Sequence, residues 1–370
     1  MSTRRFSAVA LAIGASLAVA ACGSSSSSSS SGTSSKPASS SGAGGTIDGA
    51  GSTLAAPIYQ QWGSTLKSQN LTVNYNPVGS GAGIASLQSA TVDFAGSDPA
   101  LKPSDVKGGK GSMYQFPVAF GAITVSYNLS GTKSGLKLDG PTIANIFLGK
   151  IKTWNDSAIK SLNPGVSLPS TAITVIHRSD SSGTTKGFTT FLSDYSSTWK
   201  SQVGADKDVK WPTGTGGKGN SGVAAAVKQT NGAIGYVEQA YALQNGFTYA
   251  AVKNSKGQFV EPTIANTSAA ANGIKIPPDL GISTINSPAS GAYPIVSQTF
   301  LVTYQDMCKA GISQSAAKGQ KQFLTYAVGD GQKTLGAGSN QLPYAPLTSE
   351  LVTKDQQQLA KLKCNGSALG

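Results

Sequence analysis

Ala172-Ile173-Thr174-Val175-Ile176-His177 followed by Arg178-Ser179-Asp180-Ser181-Ser182-Gly183-Thr184 and Thr185-Lys186-Gly187-Phe188-Thr189-Thr190-Phe191-Leu192 is the stretch on which the fold turns. The β-branched run 172–177 predicts a buried strand. Apolar residues at 188, 191 and 192 predict a helix, opened by Ser182, Gly183 and Thr184. Arg178 then stands at the mouth of a strand, beside a helix start. Free N–H groups and the positive end of the helix dipole make such a start an anion site, and hydroxyls with a forked guanidinium add donors. An ordinary N-cap beside an unrelated surface arginine would give the same letters.

Two further turns repeat the pattern. Gly49-Ala50-Gly51-Ser52-Thr53-Leu54-Ala55-Ala56-Pro57 follows a short extended start. Ser52 or Thr53 is expected to cap a helix through Ile58, Trp62 and Leu66, with Pro57 tolerated in its first turn. Leu71–Tyr75 alternates as a strand and leads into Pro77-Val78-Gly79-Ser80-Gly81-Ala82-Gly83 and a helix through Ile84 and Leu87. The glycines permit close approach of backbone to a ligand. A nucleotide P-loop is excluded, since no terminal Gly-Lys-Ser/Thr follows. Val92-Asp93-Phe94-Ala95-Gly96-Ser97-Asp98-Pro99 is a third strand end, and it delivers a carboxylate. Long buried strand is expected over 116–127, a helix from Pro141, a glycine-rich loop over 214–222 before a helix 223–228, and a strand over 232–237. Strands at 292–296 and 299–304 and helices at 320–328 and 348–362 complete the chain. Strands alternating with helices argue an α/β fold.

The chain has 370 residues and a formal charge of +12. Arg4 and Arg5 precede an apolar run, Ala8 to Ala21, too short for a comfortable membrane span. It ends Val19-Ala20-Ala21-Cys22-Gly23, which resembles a bacterial lipobox. Residues 1–21 are thus expected to be a lipoprotein signal peptide. Residues 22–45 are expected to be a lipidated Cys22 with a Ser/Gly-rich tether that cannot bury a core. Losing the two leader arginines lowers the charge to +10. The lysines are scattered rather than interleaved with aromatics, so nothing points to nucleic acid. With Cys22 lipidated, Cys308 and Cys364 remain as a possible disulfide pair in an oxidising compartment. One histidine and no clustered cysteines argue against a metal, nothing points to a cofactor, and His177 lacks the partners of a serine-hydrolase triad.

Hydroxyls and free N–H groups at three turns, with Arg178 and Asp98, compose an oxyanion cradle. A carboxylate aimed at a fully ionised anion repels it, but it accepts a strong hydrogen bond from an anion that keeps a proton. Phosphate keeps one near neutral pH and sulfate does not, so Asp98 favours phosphate.

The same residues carry a resemblance. Gly49-Ala50-Gly51-Ser52-Thr53, Val78-Gly79-Ser80-Gly81, Val92–Asp98, Arg178–Thr184, Gly217-Lys218-Gly219-Asn220 and Gly232-Ala233-Ile234-Gly235-Tyr236-Val237-Glu238 appear in order. They resemble the PstS family, phosphate-binding lipoproteins of high-affinity ABC phosphate importers, over essentially all of the chain after the tether. The resemblance implies a two-lobed fold of the periplasmic-binding-protein type (type II), with mixed sheets flanked by helices and the ligand in the interlobe cleft. Residues 46–116 and 294–370 would form one lobe and 117–293 the other, hinged near 116–121 and 292–296. Carried over by position, Thr53, Ser80, Ser182 and Thr184 would donate through hydroxyls and backbone, and Leu54 and Gly183 through backbone N–H. Asp98 would accept the phosphate proton, and Arg178 would bind the anion, held by Asp180. Leu54 stands where many relatives have an aromatic, which a backbone contact survives. Gly81-Ala82 replaces a Ser-Gly pair of some relatives, so nothing is carried over there. The implied protein is a monomeric, non-catalytic receptor, lipid-anchored outside the cytoplasmic membrane. It would deliver phosphate to a permease and ATPase complex. Receptors for arsenate or sulfate, a secreted phosphatase and an added surface or sensory role are the alternatives.

Overall fold

The computed structural model describes residues 45–370. Cys22, the signal segment and the serine-rich tether up to residue 44 lie outside the described residues.

In chain order the first elements are β1 (Gly45–Gly51), α1 (Ala56–Lys67), β2 (Leu71–Asn76), α2 (Ser80–Gln88), β3 (Phe94–Ser97), α3 (Pro103–Lys107) and β4 (Met113–Asn128). Then come β5 (Lys137–Leu138), α4 (Gly140–Phe147), α5 (Ser157–Leu162), β6 (Thr174–Arg178), α6 (Gly183–Tyr195), α7 (Ser197–Gln202), β7 (Thr215–Gly217), α8 (Gly219–Gln229) and β8 (Ala233–Glu238). The remainder is α9 (Gln239–Gln244), β9 (Thr248–Tyr249), β10 (Ala251–Lys253), β11 (Phe259–Val260), α10 (Ile264–Ala269), β12 (Val296–Tyr304), α11 (Gln314–Ala327), α12 (Ser349–Leu359), β13 (Lys363–Cys364) and β14 (Ser367–Ala368).

One mixed sheet runs β2-β1-β3-β12-β4-β8-β6-β7. At one end β2, β1 and β3 are parallel; at the other β8, β6 and β7 are parallel. The long strand β4 joins them. Its first part pairs antiparallel with β12 over Met113–Ala122, and its last part with β8 over Ile123–Asn128. β12 in turn pairs antiparallel with β3. Pro117 lies inside β4 and has no N–H to give. The ladder accommodates it with a register shift, Thr299 facing Ala119 and Phe300 facing Pro117, which leaves Val118 as the extra residue of a bulge.

Each half has its own aromatic packing. In the first, Tyr59, Trp62, Phe94 and Phe323 meet in edge-to-face and tilted pairs between α1, β3 and α11. In the second, Tyr236 stacks on Phe188 with centroids 4.3 Å apart and on Trp211 at 5.8 Å. Such contacts add about 0.5–1.5 kcal/mol each beyond area burial. They also fix β8 and α6, the elements that carry the site.

Several boundaries differ from the sequence expectation. Residues 215–217, expected as loop, form β7, because three residues suffice to pair with the end of β6. Gly219 and Asn220 already belong to α8. The two strands expected at 292–296 and 299–304 are the single strand β12, entered from a loop that contains Pro294. α11 starts six residues early, capped by Ser313, whose side chain accepts the N–H of Ala316. α1 takes Ala55 as its N-cap with no side-chain cap bond, so neither Ser52 nor Thr53 caps it. The Ser52 hydroxyl serves the turn before, accepting the N–H of Ala55 at 3.1 Å. No helix among the described residues is long and apolar enough to cross a membrane.

Cys308 and Cys364, 56 positions apart, are joined by a disulfide that ties the β13–β14 hairpin to the end of β12. Replacing both by alanine is expected to lower the unfolding free energy by about 3–5 kcal/mol, the loop-closure contribution at this spacing. Denaturant titration of the two forms measures it.

Candidate functional site

The carboxyl ends of β1, β3, β6, β7 and β8 converge, the place where open α/β sheets put ligands. Ser52 and Thr53 follow β1, Asp98 follows β3, Arg178 ends β6, Gly219 and Asn220 follow β7, and Glu238 ends β8. Ser52, Thr53, Ser80, Asp98, Arg178, Ser182, Thr184, Asn220 and Glu238 are all buried.

Arg178 is gripped by Asp180. Its Nε donates to Asp180 Oδ1 at 2.7 Å and its Nη2 to Oδ2 in a forked ion pair. Asp180 Oδ1 also accepts the N–H of Gly219 at 2.9 Å. Burial pushes the Asp180 carboxyl up, but the Arg178 bonds and charge and the Gly219 N–H outweigh it and hold it below its usual range. One end of the fork is left over: Arg178 Nη1 is buried with no hydrogen-bond partner among the described residues. A buried guanidinium nitrogen of that kind calls for an acceptor.

Asp98 lies opposite. Its Oδ1 accepts the hydroxyls of Ser52 at 2.5 Å and Thr299 at 2.9 Å. Among the described residues its Oδ2 has only Ser80 Oγ at 3.4 Å, the outer edge of hydrogen-bonding range. Burial raises its pKa to about 6, against the Ser52 and Thr299 hydrogen bonds and the Arg178 charge that favour the ion. Oδ1 is therefore saturated, whereas Oδ2 keeps lone pairs to offer.

Ser182 is the N-cap of α6, its side chain accepting the N–H of Thr185 at 3.0 Å. That leaves the N–H groups of Gly183 and Thr184 as orphans of the first turn, directed out of the helix. Gly183 sits hard against the opposite half, since a Cβ there would lie 2.5 Å from both Asp98 Oδ2 and Ser80 Oγ. Thr53 and Thr184 meet through Asn220, whose Nδ2 lies 2.8 Å from Thr53 Oγ1 and 3.3 Å from Thr184 Oγ1. Leu54 is fixed through its carbonyl, which accepts the Tyr344 hydroxyl at 2.8 Å.

The structure thus brings Ser80, Asp98 and Gly183 together, links Thr53 to Thr184, and pairs Arg178 with Asp180. The motif-based set omits Ser52, Thr299, Asn220 and Glu238. Ser52 and Asn220 stand inside quoted motifs, so their hydroxyl and amide were visible signals. Thr299 comes from β12, two hundred positions from the carboxylate it serves, and carries no local signal. Glu238 is buried against Tyr344 and pushed well above the usual carboxylate range by burial, opposed by the Tyr344 hydroxyl and the Ala240 N–H. His177 does not turn toward the hydroxyls; it stacks on Trp211 at 4.7 Å. No group of three or more His, Cys, Asp or Glu positioned for a metal occurs among the described residues.

A mixed sheet whose strand ends surround one oriented set of anion donors defines a solute-binding protein of the type II periplasmic fold. A family profile described as PBP superfamily domain matches residues 36–330. The phosphate-binding protein PstS of Xylella fastidiosa (strain Temecula1) is 42% identical over 310 residues, 83% of this chain and 82% of that one. That of Pasteurella multocida is 40% identical over 317 residues, 85% and 89% of the two chains. The solved phosphate-binding protein of Stenotrophomonas maltophilia shares the fold, with a TM-score of 0.63 at 20% identity over 85% of this chain and 94% of that one. The chain belongs to the PstS family of phosphate-binding proteins.

Gly183→Ala tests the geometry. Its helical backbone suits alanine, but the new Cβ would lie within 2.7 Å of Asp98 Oδ2, Asp98 Cβ and Ser80 Oγ, so these groups must move away from it. Oxyanion affinity should fall roughly 10–100-fold, the equivalent of one or two charge-assisted hydrogen bonds. Titration calorimetry alongside a melting curve separates the loss of affinity from any loss of stability.

Proposed function

We propose that the protein captures inorganic phosphate outside the cytoplasm and hands it to an ABC importer. It is not an enzyme: it binds and releases its anion unchanged. The observation that carries this reading is one buried acceptor, Asp98 Oδ2, set among donors. Arg178 Nη1, the first-turn N–H groups of α6 and the hydroxyls of Thr53 and Thr184 suit the three charged oxygens of phosphate, and Asp98 suits the oxygen that keeps its proton. Ser80 and the N–H of Leu54 complete the donor set, and Asp180 holds the guanidinium in its orientation. Arsenate keeps a proton as phosphate does, so Asp98 does not exclude it.

In this reading residues 46–116 and 294–370 are one lobe and 117–293 the other, hinged near 116–121 within β4 and near 292–296 at the entry to β12. Donors from both lobes meeting one anion stabilise the closed arrangement, a population shift toward it. The contacts present between the lobes suit closure: Gly81 N–H to Ser181 O at 3.1 Å, Tyr241 hydroxyl to Thr53 O at 2.8 Å, and Lys102 Nζ to Asp206 Oδ1 at 3.0 Å. We further assign Cys22 as the lipid anchor on the outer face of the cell membrane. The 22–45 segment is the tether, and the permease and ATPase complex is the partner of a monomeric receptor.

Calorimetric titration of protein stripped of bound anion is expected to give tight one-to-one phosphate binding and no sulfate heat at pH 8. Binding of neither anion would break the assignment.

The sulfate exclusion has a pH dependence with a defined sign. Above about 6, Asp98 is ionised and can only accept. As pH falls through that value it gains a proton and becomes a donor, so sulfate binding is expected to appear below pH 6 and vanish above it. Asp98→Asn should show the acid behaviour at pH 8, with sulfate competing for the site. Selectivity unchanged by both acid and substitution would remove Asp98 from its role.

A further inference from the structure

The side-chain amide of Asn220 has its orientation dictated. It is wholly buried in the first turn of α8. Its Oδ1 accepts the backbone N–H of Glu238 at 2.9 Å, a partner that can only donate. The amide nitrogen is therefore the end that faces the two threonines, 2.8 Å from Thr53 Oγ1 and 3.3 Å from Thr184 Oγ1. That nitrogen has two hydrogens and no lone pair to offer, so both threonine oxygens must accept. The backbone N–H of Asn220 adds a second bond into Thr53 Oγ1 at 3.2 Å. A hydroxyl whose oxygen already receives has one hydrogen left to give, and it cannot give it to Asn220. Other hydroxyls of the site are committed differently: Ser52 and Thr299 give their hydrogens to Asp98, and the Ser182 oxygen caps α6.

We propose that Asn220 is a positioning residue that locks the Thr53 and Thr184 hydroxyls as donors toward the bound oxyanion. The order runs from the Glu238 N–H through the Asn220 amide to two hydroxyls that come from opposite halves of the sheet. A free threonine hydroxyl chooses among rotamers and can turn its lone pairs toward a ligand; here that choice is made before the ligand arrives. This role rests on the phosphate-receptor reading and adds to it a residue that acts through Thr53 and Thr184 without touching the anion.

The test is a double-mutant cycle read by phosphate titration at pH 8 on the full chain. Asn220→Ala removes the amide from both hydroxyls, leaving Thr184 without it and Thr53 held only by the backbone N–H of residue 220, and is expected to weaken phosphate binding roughly tenfold, the worth of one oriented hydrogen bond. In a Thr53→Val background, where the principal hydroxyl is gone, the same substitution should cost under about threefold, because residues that act through one another are not additive. A purely structural Asn220 would cost the same in both backgrounds, and that result overturns the proposal. So does native affinity in Asn220→Ala. If Asn220→Ala fails to melt cooperatively, Asn220→Asp replaces it in the cycle. Its carboxylate keeps the size and the Glu238 bond but takes the hydroxyl hydrogens, so its loss should exceed roughly tenfold in the native background and shrink with Thr53→Val. A native protein that binds no phosphate would instead overturn the receptor reading, and this inference with it.

Discussion

A guanidinium buried at the end of a β-strand is the constraint around which the rest is arranged. Arg178 is 3% exposed, and a cation taken so far from water costs several kcal/mol unless it is paired. Asp180, two residues on, supplies the pair, and that pair then dictates its neighbours. The turn must keep Asp180 beneath the guanidinium, so β6 ends at Arg178, while the Ser179 N–H is taken by Gly217 O of the short strand β7 at 3.1 Å. The chain leaving β7 delivers the Gly219 N–H to Asp180, which starts α8 and sets Asn220 in its place. Gly79, from the other half, adopts φ +97° where its backbone presses on this pair; a Cβ would lie 2.6 Å from Asp180 Oδ2. A larger residue would meet both a disfavoured backbone region and the carboxylate.

Pairing Arg178 so closely means that its charge is largely spent within the protein. Asp98, ionised above about 6, brings the three groups to a net negative charge. Attraction for an anion must then come from dipoles rather than net charge: the orphan N–H groups of α6, the start of α2, and hydroxyls already turned. Scattered surface lysines contribute little inside a buried site, which is why the overall charge of +12 was a poor guide. Fixed dipoles reward only a ligand that matches them, and in the reading proposed above the mismatch of two facing acceptors would exclude a fully ionised tetrahedral anion.

Much of this was legible in the sequence because it is local. Strand, turn and helix start follow one another within 172–192, and the cap at Ser182, the ion pair of Arg178 with Asp180 and the positions of Ser80 and Asp98 all sit in short motifs. What escaped is what the chain assembles from afar. Thr299 reaches Asp98 only because β12 inserts between β3 and β4, a strand order that no local pattern announces. Ser52 and Thr53 look like helix caps because hydroxyls before an apolar period usually are. Their hydroxyls were instead drawn into the site, Ser52 by Asp98 and Thr53 by Asn220, and α1 begins at Ala56 without a side-chain cap. β7 escaped for the opposite reason, since two of the three residues Thr215-Gly216-Gly217 are glycines that disfavour a strand, and the segment is held in the sheet by its neighbour β6.

The two halves of the sheet differ from their junction in a way that favours the hinged reading. Inside each half the packing is aromatic and aliphatic, with Trp62, Phe94 and Phe323 on one side and Phe188, Trp211 and Tyr236 on the other. Where the halves face each other across the site the contacts are polar: a backbone bond at Gly81, the Tyr241 hydroxyl on the Thr53 carbonyl, the Asn220 amide, and ion pairs of Lys102 with Asp206 and Lys207 with Asp105. Water replaces such partners at small net cost, about 0–1 kcal/mol for an exposed ion pair, whereas it cannot replace an apolar core. In the two-lobed reading proposed above, parting the halves across the site breaks these polar contacts and spares the aromatic packing inside each half, and the balance between apart and together falls to an anion that satisfies Arg178 Nη1 and Asp98 Oδ2 at once. A receptor that must both hold and release its cargo needs that balance, and the division between apolar halves and a polar junction supplies it.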